Sequence, residues 1–499
     1  MACMTLDHDA SYQVFKARDA RFDGRLFVGV TSTGIYCRPV CRVRTPRKEN
    51  CRFFASPAQA EAEAFRPCMK CRPEMAPGPG LAWTVMDASR TLARQAAQWL
   101  DSRLGADDDA RDAPSMAALA EHLGVSDRHL RRIFAAEHGV TPLQYLQTRR
   151  LLLAKQLLTD TRLPVAQVAL ASGFRSLRRF NAAFADSYRM SPSRLRQDAD
   201  EAVDLPADQA LCVSLGLRPP YDTAAMLRFL SLRAIPGVEQ VDGVCVRRSL
   251  RAGAIAPSAG WLQAEFVPET ETRAGHVRLQ FAPSLAPHSA RVVAGVRRWL
   301  DLDASPDTID DALAGLPGGP GLRLPGCVDS FEMVVRAVLG QQVTVAAART
   351  LARRFADRFG EPIDTPWPEV THTFPAPETI AAAPVERIAE LGIIRARAGA
   401  ILALAQAWPE ASRHLHERRE PAALIEMLKT LPGIGPWTAH YIAMRALSWP
   451  DAFPPNDVAV LNAMKPLFGT TTQREADAIA ERWRPWRSYA VLRLWNSLA

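Results

Sequence analysis

Two tight cysteine pairs, Cys37-x3-Cys41 and Cys68-x2-Cys71, constrain this chain more than any other feature, because they have the number and spacing of an all-sulfur metal site. Four thiolates in a tetrahedron are a ligand set typical of zinc, so one Zn2+ on Cys37, Cys41, Cys68 and Cys71 is expected. Most such clusters only staple a domain too small to build a large core, and on spacing alone that reading stands beside a chemical one. The other five of the nine cysteines are scattered. They make no disulfide scaffold and point to a reducing cytoplasm. Cys51, near the pattern but outside it, is expected to be a buried thiol.

At 499 residues the chain exceeds what one hydrophobic core serves. Asp101 to Pro114 and Gln197 to Pro206 lack helical or strand periodicity and read as linkers, and Pro317-Gly318-Gly319-Pro320-Gly321 supplies a third break. These cuts predict four units, at 1–86, 87–200, 205–318 and 319–499. The fold class expected is multidomain and mainly α with α+β parts. The third unit alternates over Val244–Leu250 and His276–Phe281 and has helical patterns around Ala224–Ala234 and Ala290–Leu300, as in a small α+β layer with an antiparallel sheet. The fourth is helical almost throughout, with apolar residues three and four apart in Phe331–Phe355, Ile401–Trp408 and Thr438–Leu447. The N-terminus has neither a basic region nor an apolar one, and no run of about 18 apolar residues occurs, so neither export nor a membrane span is expected.

The formal net charge is +8, and the segment Asp127 to Arg196, with 13 Arg and Lys against 4 Asp and Glu, accounts for all of it. So local a basic surplus is the footprint of a nucleic-acid module, the alternative being a solvated helical surface. Within it Met116–Ser126 reads as a helix, a glycine turn and an N-cap serine opening a second helix through Glu137. Val165–Ser176 repeats the logic about 50 residues on. Its second helix presents Arg178, Arg179 and Asn181, side-chain types that read base edges in the major groove. One helix-glycine-helix pattern is common in plain bundles. Two, ending in Met190-Ser191-Pro192-Ser193-Arg194-Leu195-Arg196, resemble an AraC-type DNA-binding domain. Base-reading roles for Arg128, Arg131, Arg178 and Arg179 are expected from their helix positions only.

The residues around the cysteines, Gly34-Ile35-Tyr36-Cys37-Arg38-Pro39-Val40-Cys41-Arg42 and Phe65-Arg66-Pro67-Cys68-Met69-Lys70-Cys71, closely resemble the N-terminal sensor of the Ada family over nearly all of residues 1–80. Proteins of that family move a methyl group from a methylated DNA phosphate onto the first cysteine of the pattern. The resemblance implies that Cys37 is the methyl acceptor as well as a ligand, and that Thr33, Arg42, Arg44 and Arg66 contact DNA. Thiolates on a zinc ion stay deprotonated at neutral pH, which maintains a nucleophile without a separate base. Four of them leave two formal negative charges on the cluster, and methylating one removes one, weakening an electrostatic barrier to DNA in a salt-dependent way.

Near the other end, Leu431-Pro432-Gly433-Ile434-Gly435-Pro436-Trp437 places a Gly-Ile-Gly turn one helix ahead of Asn456-Asp457. Glycines let the backbone approach phosphate and expose amides at the next helix's N-terminus. Alone, Gly433 and Gly435 mark a tight turn as readily as a phosphate grip. With Asp457 and the flanking tryptophans the segment resembles the helix-hairpin-helix DNA glycosylases, and the AlkA-type 3-methyladenine DNA glycosylases more closely, from Leu217-Arg218-Pro219-Pro220-Tyr221-Asp222 to Trp486–Leu492. The resemblance implies an all-helical glycosylase domain behind an α+β one. It makes Asp457 the catalytic carboxylate, which stabilises an oxocarbenium-like sugar as the N-glycosidic bond breaks. It makes Phe229, Trp437, Tyr441 and Trp495 the walls of a pocket for a flipped cationic base. Phe229 and Tyr441 could equally serve a core. Trp437 stands where lyase relatives carry lysine, so monofunctional hydrolysis without a cofactor is expected, and no cysteine follows Cys327 to hold an iron–sulfur cluster. Gln341-Gln342-Val343 departs from the family pattern, which places an apolar wedge at Gln342.

The expectation is a methyl-phosphotriester-sensing transcriptional activator fused to a glycosylase for alkylated bases. It would be a monomer in the cytoplasm, associated with the nucleoid, with double-stranded, alkylated and promoter DNA and RNA polymerase as partners. No Pro-Cys-His-Arg motif occurs, so an alkylguanine transferase is not expected. The rivals are a regulator whose second half is a DNA-binding platform, and a repair enzyme whose first half only targets it to DNA.

Overall fold

Residues 7–78, 88–104, 115–200, 210–271, 274–416, 421–470 and 472–498 are described by the computed structural model. The chain divides into two units, Met1–Pro219 with Val267–Ala294 and Pro220–Phe266 with Gly295–Ala499.

In the first unit, strands β1 (Phe27–Val30), β2 (Ile35–Cys37), β3 (Cys51–Phe54) and β4 (Arg66–Pro67) form a sheet in the order β3-β1-β2-β4. β1 is antiparallel to β2 and β3, whereas β2 and β4 run parallel with Tyr36 opposite Pro67. That register sets Cys37, at the end of β2, beside Cys68, which follows β4. The sheet thus delivers one ligand from each cysteine pair to the same place.

The helix-turn-helix patterns appear as helices Met116–His122 and Asp127–His138, then Val165–Ala171 and Leu177–Tyr188. Ser126 and Ser176 cap the second helix of each pair, accepting from the amides of His129 and Arg179 at 3.3 Å. Between the pairs runs Pro142–Asp160, opened by a Thr141/Gln144 capping box and buried at Leu151 through Leu158. A helix buried on every side must find partners for its polar groups. Lys155 donates to both oxygens of Glu74 at 2.7 Å, and Arg72 pairs with Asp160 at 2.6 Å. These ion pairs, the first of them buried, join the stretch after Cys71 to the helix. The unit also contains β5 (Leu211–Gly216), antiparallel to a later strand, His276–Phe281.

In the second unit β6 (Glu239–Asp242), β7 (Cys245–Leu250) and β8 (Gly260–Val267) form an antiparallel meander. The strand His276–Phe281 of the first unit, expected from its alternation, is β9. Two helical cores follow. One gathers Phe331, Phe355, Phe374, Ile401 and Ile442, and the other Met464, Trp483, Trp486 and Tyr489. Helix Pro436–Ala446 serves both, placing Ile442 and Ala443 in the first and Met444 in the second, with Tyr441 packed against each. Whatever this helix carries sits where the two cores meet.

Two linker expectations need correction at their starts. Asp101 lies in helix Ala88–Ser102 and accepts from Tyr145 at 3.0 Å and Arg149 at 2.8 Å, so side-chain bonding draws the start of the expected linker into structure. Helix Pro192–Asp200 likewise takes the first four residues of the stretch expected as a linker from Gln197. The rest of both stretches, apart from Ser102 to Leu104, and the boundary at 86/87, lie outside the described residues. The Pro317–Gly321 break is a turn inside the second unit, where Asp310 accepts from the Gly321 amide at 2.9 Å. The Phe331–Phe355 pattern is two helices, Ser330–Leu339 and Val345–Phe359. Among the described residues, no helix is long and apolar enough to cross a membrane.

Candidate metal centre, DNA-contact residues and aspartate site

The sulfurs of Cys37, Cys41, Cys68 and Cys71 all lie within 4.8 Å of one another. The donor set therefore fits a single Zn2+. The Arg38 amide donates to the Cys71 sulfur at 3.3 Å, which favours a thiolate there. The Arg38 side chain, which the sequence reading passed over, is buried and donates to Asp23 through Nε at 2.9 Å and to the Cys71 carbonyl at 3.1 Å. It fastens the ligand loop to the unit, and the only sequence signal for it was its place directly after Cys37. Cys37 is 3% exposed, and Cys71 is the one ligand of the four that is not fully buried. Cys51 is buried and burial raises its thiol pKa, as expected of a structural cysteine.

Thr33 lies in the exposed turn between β1 and β2, and the Arg66 amide bonds Gly34 of that turn at 2.9 Å. The structure thus brings Thr33 and Arg66 together. Arg42 and Arg44 are exposed on the ligand loop, and Arg42 bonds the Thr270 carbonyl at 3.3 Å. Arg128, Arg131, Arg178, Arg179 and Asn181 are all exposed on the first two turns of the two capped helices. Arg131 is paired with Asp127 at 3.0 Å, so its guanidinium is already engaged on the helix surface.

In the second unit the Gly-Ile-Gly turn is held by its middle residue. Ile434 is buried in the core while Gly433 and Gly435 face solvent. Gly433 needs to be glycine, since it adopts φ 78 and a Cβ there would come within 2.9 Å of the Ala400 Cβ. Gly435 has an ordinary φ of −84, so its value lies in leaving open the approach to the helix N-terminus. No side chain caps Pro436–Ala446, and its first amides are available to an anion.

Asp457 caps helix Val458–Phe468, with Oδ1 accepting from the Val460 amide at 2.9 Å. Oδ2 accepts from the Trp437 indole at 2.8 Å, and Oδ1 from the Trp495 indole at 3.3 Å. Asp457 is 5% exposed, and its carboxylate is surrounded by three N–H donors and the positive end of a helix. Trp437 stacks on Tyr441 with centroids 5.1 Å apart and planes at 15°, and Trp495 lies 6.2 Å from Tyr441. Trp437 belongs to neither core, whereas Tyr441 packs against both and Phe229 and Trp495 against one.

Phe229 joins this group through a cation. The Arg445 guanidinium lies 4.6 Å from the Phe229 centroid and donates to the Tyr441 hydroxyl at 2.9 Å, while Arg233 covers Phe229 at 3.8 Å. Burial alone would raise the Tyr441 phenol, but Arg445, Arg233 and Arg336 outweigh it and hold it below its usual range. Sequence reading missed both cations, although each stands four residues after its ring, at helical spacing.

Four family profiles match the chain. They are the metal binding domain of Ada at residues 10–74, a helix-turn-helix domain at 119–198, the AlkA N-terminal domain at 212–329 and the HhH-GPD superfamily of base excision DNA repair proteins at 335–488. A DNA-3-methyladenine glycosylase 2 of Escherichia coli (strain K12) is 39% identical over 283 residues, covering 56% of this chain and 96% of the relative. A Mycobacterium tuberculosis protein (strain CDC 1551 / Oshkosh) named "Probable bifunctional transcriptional activator/DNA repair enzyme AlkA" is 37% identical over 506 residues, covering 99% of this chain and 97% of the relative. With metal-binding, helix-turn-helix and glycosylase-type regions in one chain aligned from end to end, this protein belongs to the family of the bifunctional transcriptional activator/DNA repair enzyme AlkA.

Proposed function

We propose that this protein both senses and repairs alkylated DNA. A self-methylating zinc domain (1–86) and a helix-turn-helix domain (87–200) activate transcription, and the remaining two domains (205–318 and 319–499) act as a monofunctional DNA-3-methyladenine glycosylase. The observation that carries the repair half is the Asp457 carboxylate, buried yet hydrogen-bonded to two half-exposed indoles.

The lesion nucleotide leaves the duplex and enters the aromatic site. The bond from the sugar C1′ to the base nitrogen breaks, its electron pair leaves on the base, and Asp457 stabilises the cationic sugar that remains. Water then adds at C1′ and gives up a proton to solvent, which leaves the sugar neutral. An alkylpurine that already carries positive charge needs little protonation to leave, and its charge favours the face of Trp437. With tryptophan at this position, no amine is offered there to attack C1′.

A Zn2+ on the four cysteines would keep their sulfurs deprotonated at neutral pH. The Cys37 sulfur attacks the methyl carbon of a methylated phosphate. The S–C bond forms, the C–O bond breaks, and the electron pair returns to the phosphate oxygen. The cluster thereby loses one formal negative charge, which favours promoter DNA. One observation favours a second reading: the burial of Cys37 suits a zinc staple with no chemistry.

Mass spectrometry of the zinc-loaded chain after exposure to DNA bearing methyl phosphotriesters, run beside a base-release assay, tests both halves. One methyl per wild-type chain and none on Cys37→Ala is expected, with 3-methyladenine released by both proteins. An unmethylated wild type leaves the staple reading. A wild type that releases no base reduces the second half to a DNA-binding platform.

A further inference from the structure

The loop between helices Ser330–Leu339 and Val345–Phe359 carries a strained residue beside an anchored one. Gln342 adopts φ 53, a left-handed conformation that crowds a Cβ, and its side chain is exposed. Its neighbour Gln341 is held twice, with Nε2 donating to the Gly433 carbonyl at 2.9 Å and to Thr438 Oγ1 at 3.0 Å. The two acceptors tie the loop to the Gly-Ile-Gly turn and to the helix after it. Gly433 lies inside the Gly-Ile-Gly turn at φ 78, and Thr438 is in the first turn of the helix that follows. Thr438 is buried and adjoins Trp437, whose indole bonds Asp457.

Strain of this kind persists where the surroundings over-determine the backbone, and it clusters at sites that act on ligands. The strained, exposed side chain is one residue from a double anchor on the turn that offers its amides to phosphate. We infer that Gln341 is a positioning residue that locks the Gln342 loop to the hairpin, so that hairpin and Gln342 side chain meet the duplex as one rigid edge beside the extruded nucleotide. The inference rests on the glycosylase reading and adds to it the residue that couples grip to extrusion. Unstacking a paired base is costly, and a loop free to swing would lose conformational entropy each time it supported the opened duplex. A lesion that is already unpaired demands less of the lock.

Gln341→Met keeps the length of the side chain and removes both hydrogen bonds. Single-turnover excision of 7-methylguanine is measured with the full chain on two duplexes, one with the lesion opposite cytosine and one with it opposite an abasic site. Loss of two neutral hydrogen bonds predicts about tenfold slower excision from the paired duplex and a change within about twofold opposite the abasic site. Thr438→Val, which removes one bond and keeps the shape, should move the ratio in the same direction by a smaller factor. Equal slowing on both duplexes, or an unchanged rate on the paired one, overturns the locking role. If the methionine variant does not fold, the same ratio for Thr438→Val decides. A wild type that releases neither this base nor 3-methyladenine sinks the glycosylase reading itself, whereas an active wild type with an unchanged variant ratio sinks only the lock.

Discussion

The cysteine cluster and the Asp457 site both hide an anionic atom, but they stabilise it by opposite means. At the cluster, four sulfurs from two distant pairs converge within 4.8 Å with neutral amides such as that of Arg38 beside them, so a metal must supply nearly all the compensating charge. At Asp457 the compensation is built from protein, with a helix-end amide and two indoles around one carboxylate. The first arrangement makes folding depend on a bound ion. The second makes it depend on packing that two cores share. The difference teaches where each region is vulnerable.

The largest effect should come from stripping zinc from the cluster. Structural zinc contributes ~10–16 kcal/mol in small metal domains, so chelation or Cys68→Ser should unfold the region around β1 to β4. Limited proteolysis of the full chain checks this, with base release retained. A zinc-free protein as protease-resistant as the loaded one would show that the cluster is not held by its metal.

Next is Asp457→Asn, which keeps an oxygen to cap Val458–Phe468 and deletes the charge. Loss of one preorganised electrostatic group typically raises a barrier by ~3–4 kcal/mol, and a loss of base release at least that large is expected with DNA binding near wild type. Release of 3-methyladenine at the wild-type rate would end the parallel between the two sites.

A third test concerns a partly buried carboxyl, Glu61, that has no cation partner among the described residues. Glu61 accepts from Tyr36, next to Cys37, at 3.0 Å and from Thr148 of the long helix at 2.8 Å. Burial outweighs these two hydroxyl donors and pushes its pKa up to about 7. Because the folded pKa lies above the unfolded one, the native state binds the extra proton. Stability of the first unit should therefore fall as pH rises from about 4.5 to about 7 and level off above, by at most ~3 kcal/mol. Glu61→Gln should flatten that slope in thermal unfolding, and an unchanged slope would assign the pH dependence to other groups.

The smallest effect separates the two duties of Trp437. Trp437→Phe removes the donor to Asp457 and keeps a ring on Tyr441, so every substrate should be excised more slowly. Trp437→Ala should cost cationic alkylpurines a further ~0.5–2 kcal/mol relative to neutral bases, the worth of a cation–π contact. Equal effects on both substrate classes would remove stacking from the account of specificity.

Legibility was uneven for a physical reason. Elements with strong local signals were readable, such as the serine-capped helices at Ser126 and Ser176 and the alternating strand His276–Phe281. Helix ends near Asp101 and Gln197 were not, because side-chain partners over 40 residues away and the last turn of a polar helix override composition. At the sites, the motif residues were legible and their supports were not. Arg38 is chosen by Asp23, Gln341 by Gly433, and Arg445 by the Tyr441 hydroxyl and the Phe229 face.

By itself the sequence determined the chemical identities. Four thiolates at metal spacing, a glycine that must turn left-handed and an aspartate at a helix start are local facts, set by ligand chemistry, backbone sterics and capping. Only the tertiary structure decided which atoms face one another. The parallel register of β2 and β4 brings Cys37 beside Cys68, and the helix shared by two cores carries Trp437 to Asp457. It also decided that the expected acceptor sulfur is buried and that two arginines stand behind the aromatic walls. Such outcomes depend on close packing between segments far apart in the chain, and no periodicity or motif spacing encodes them.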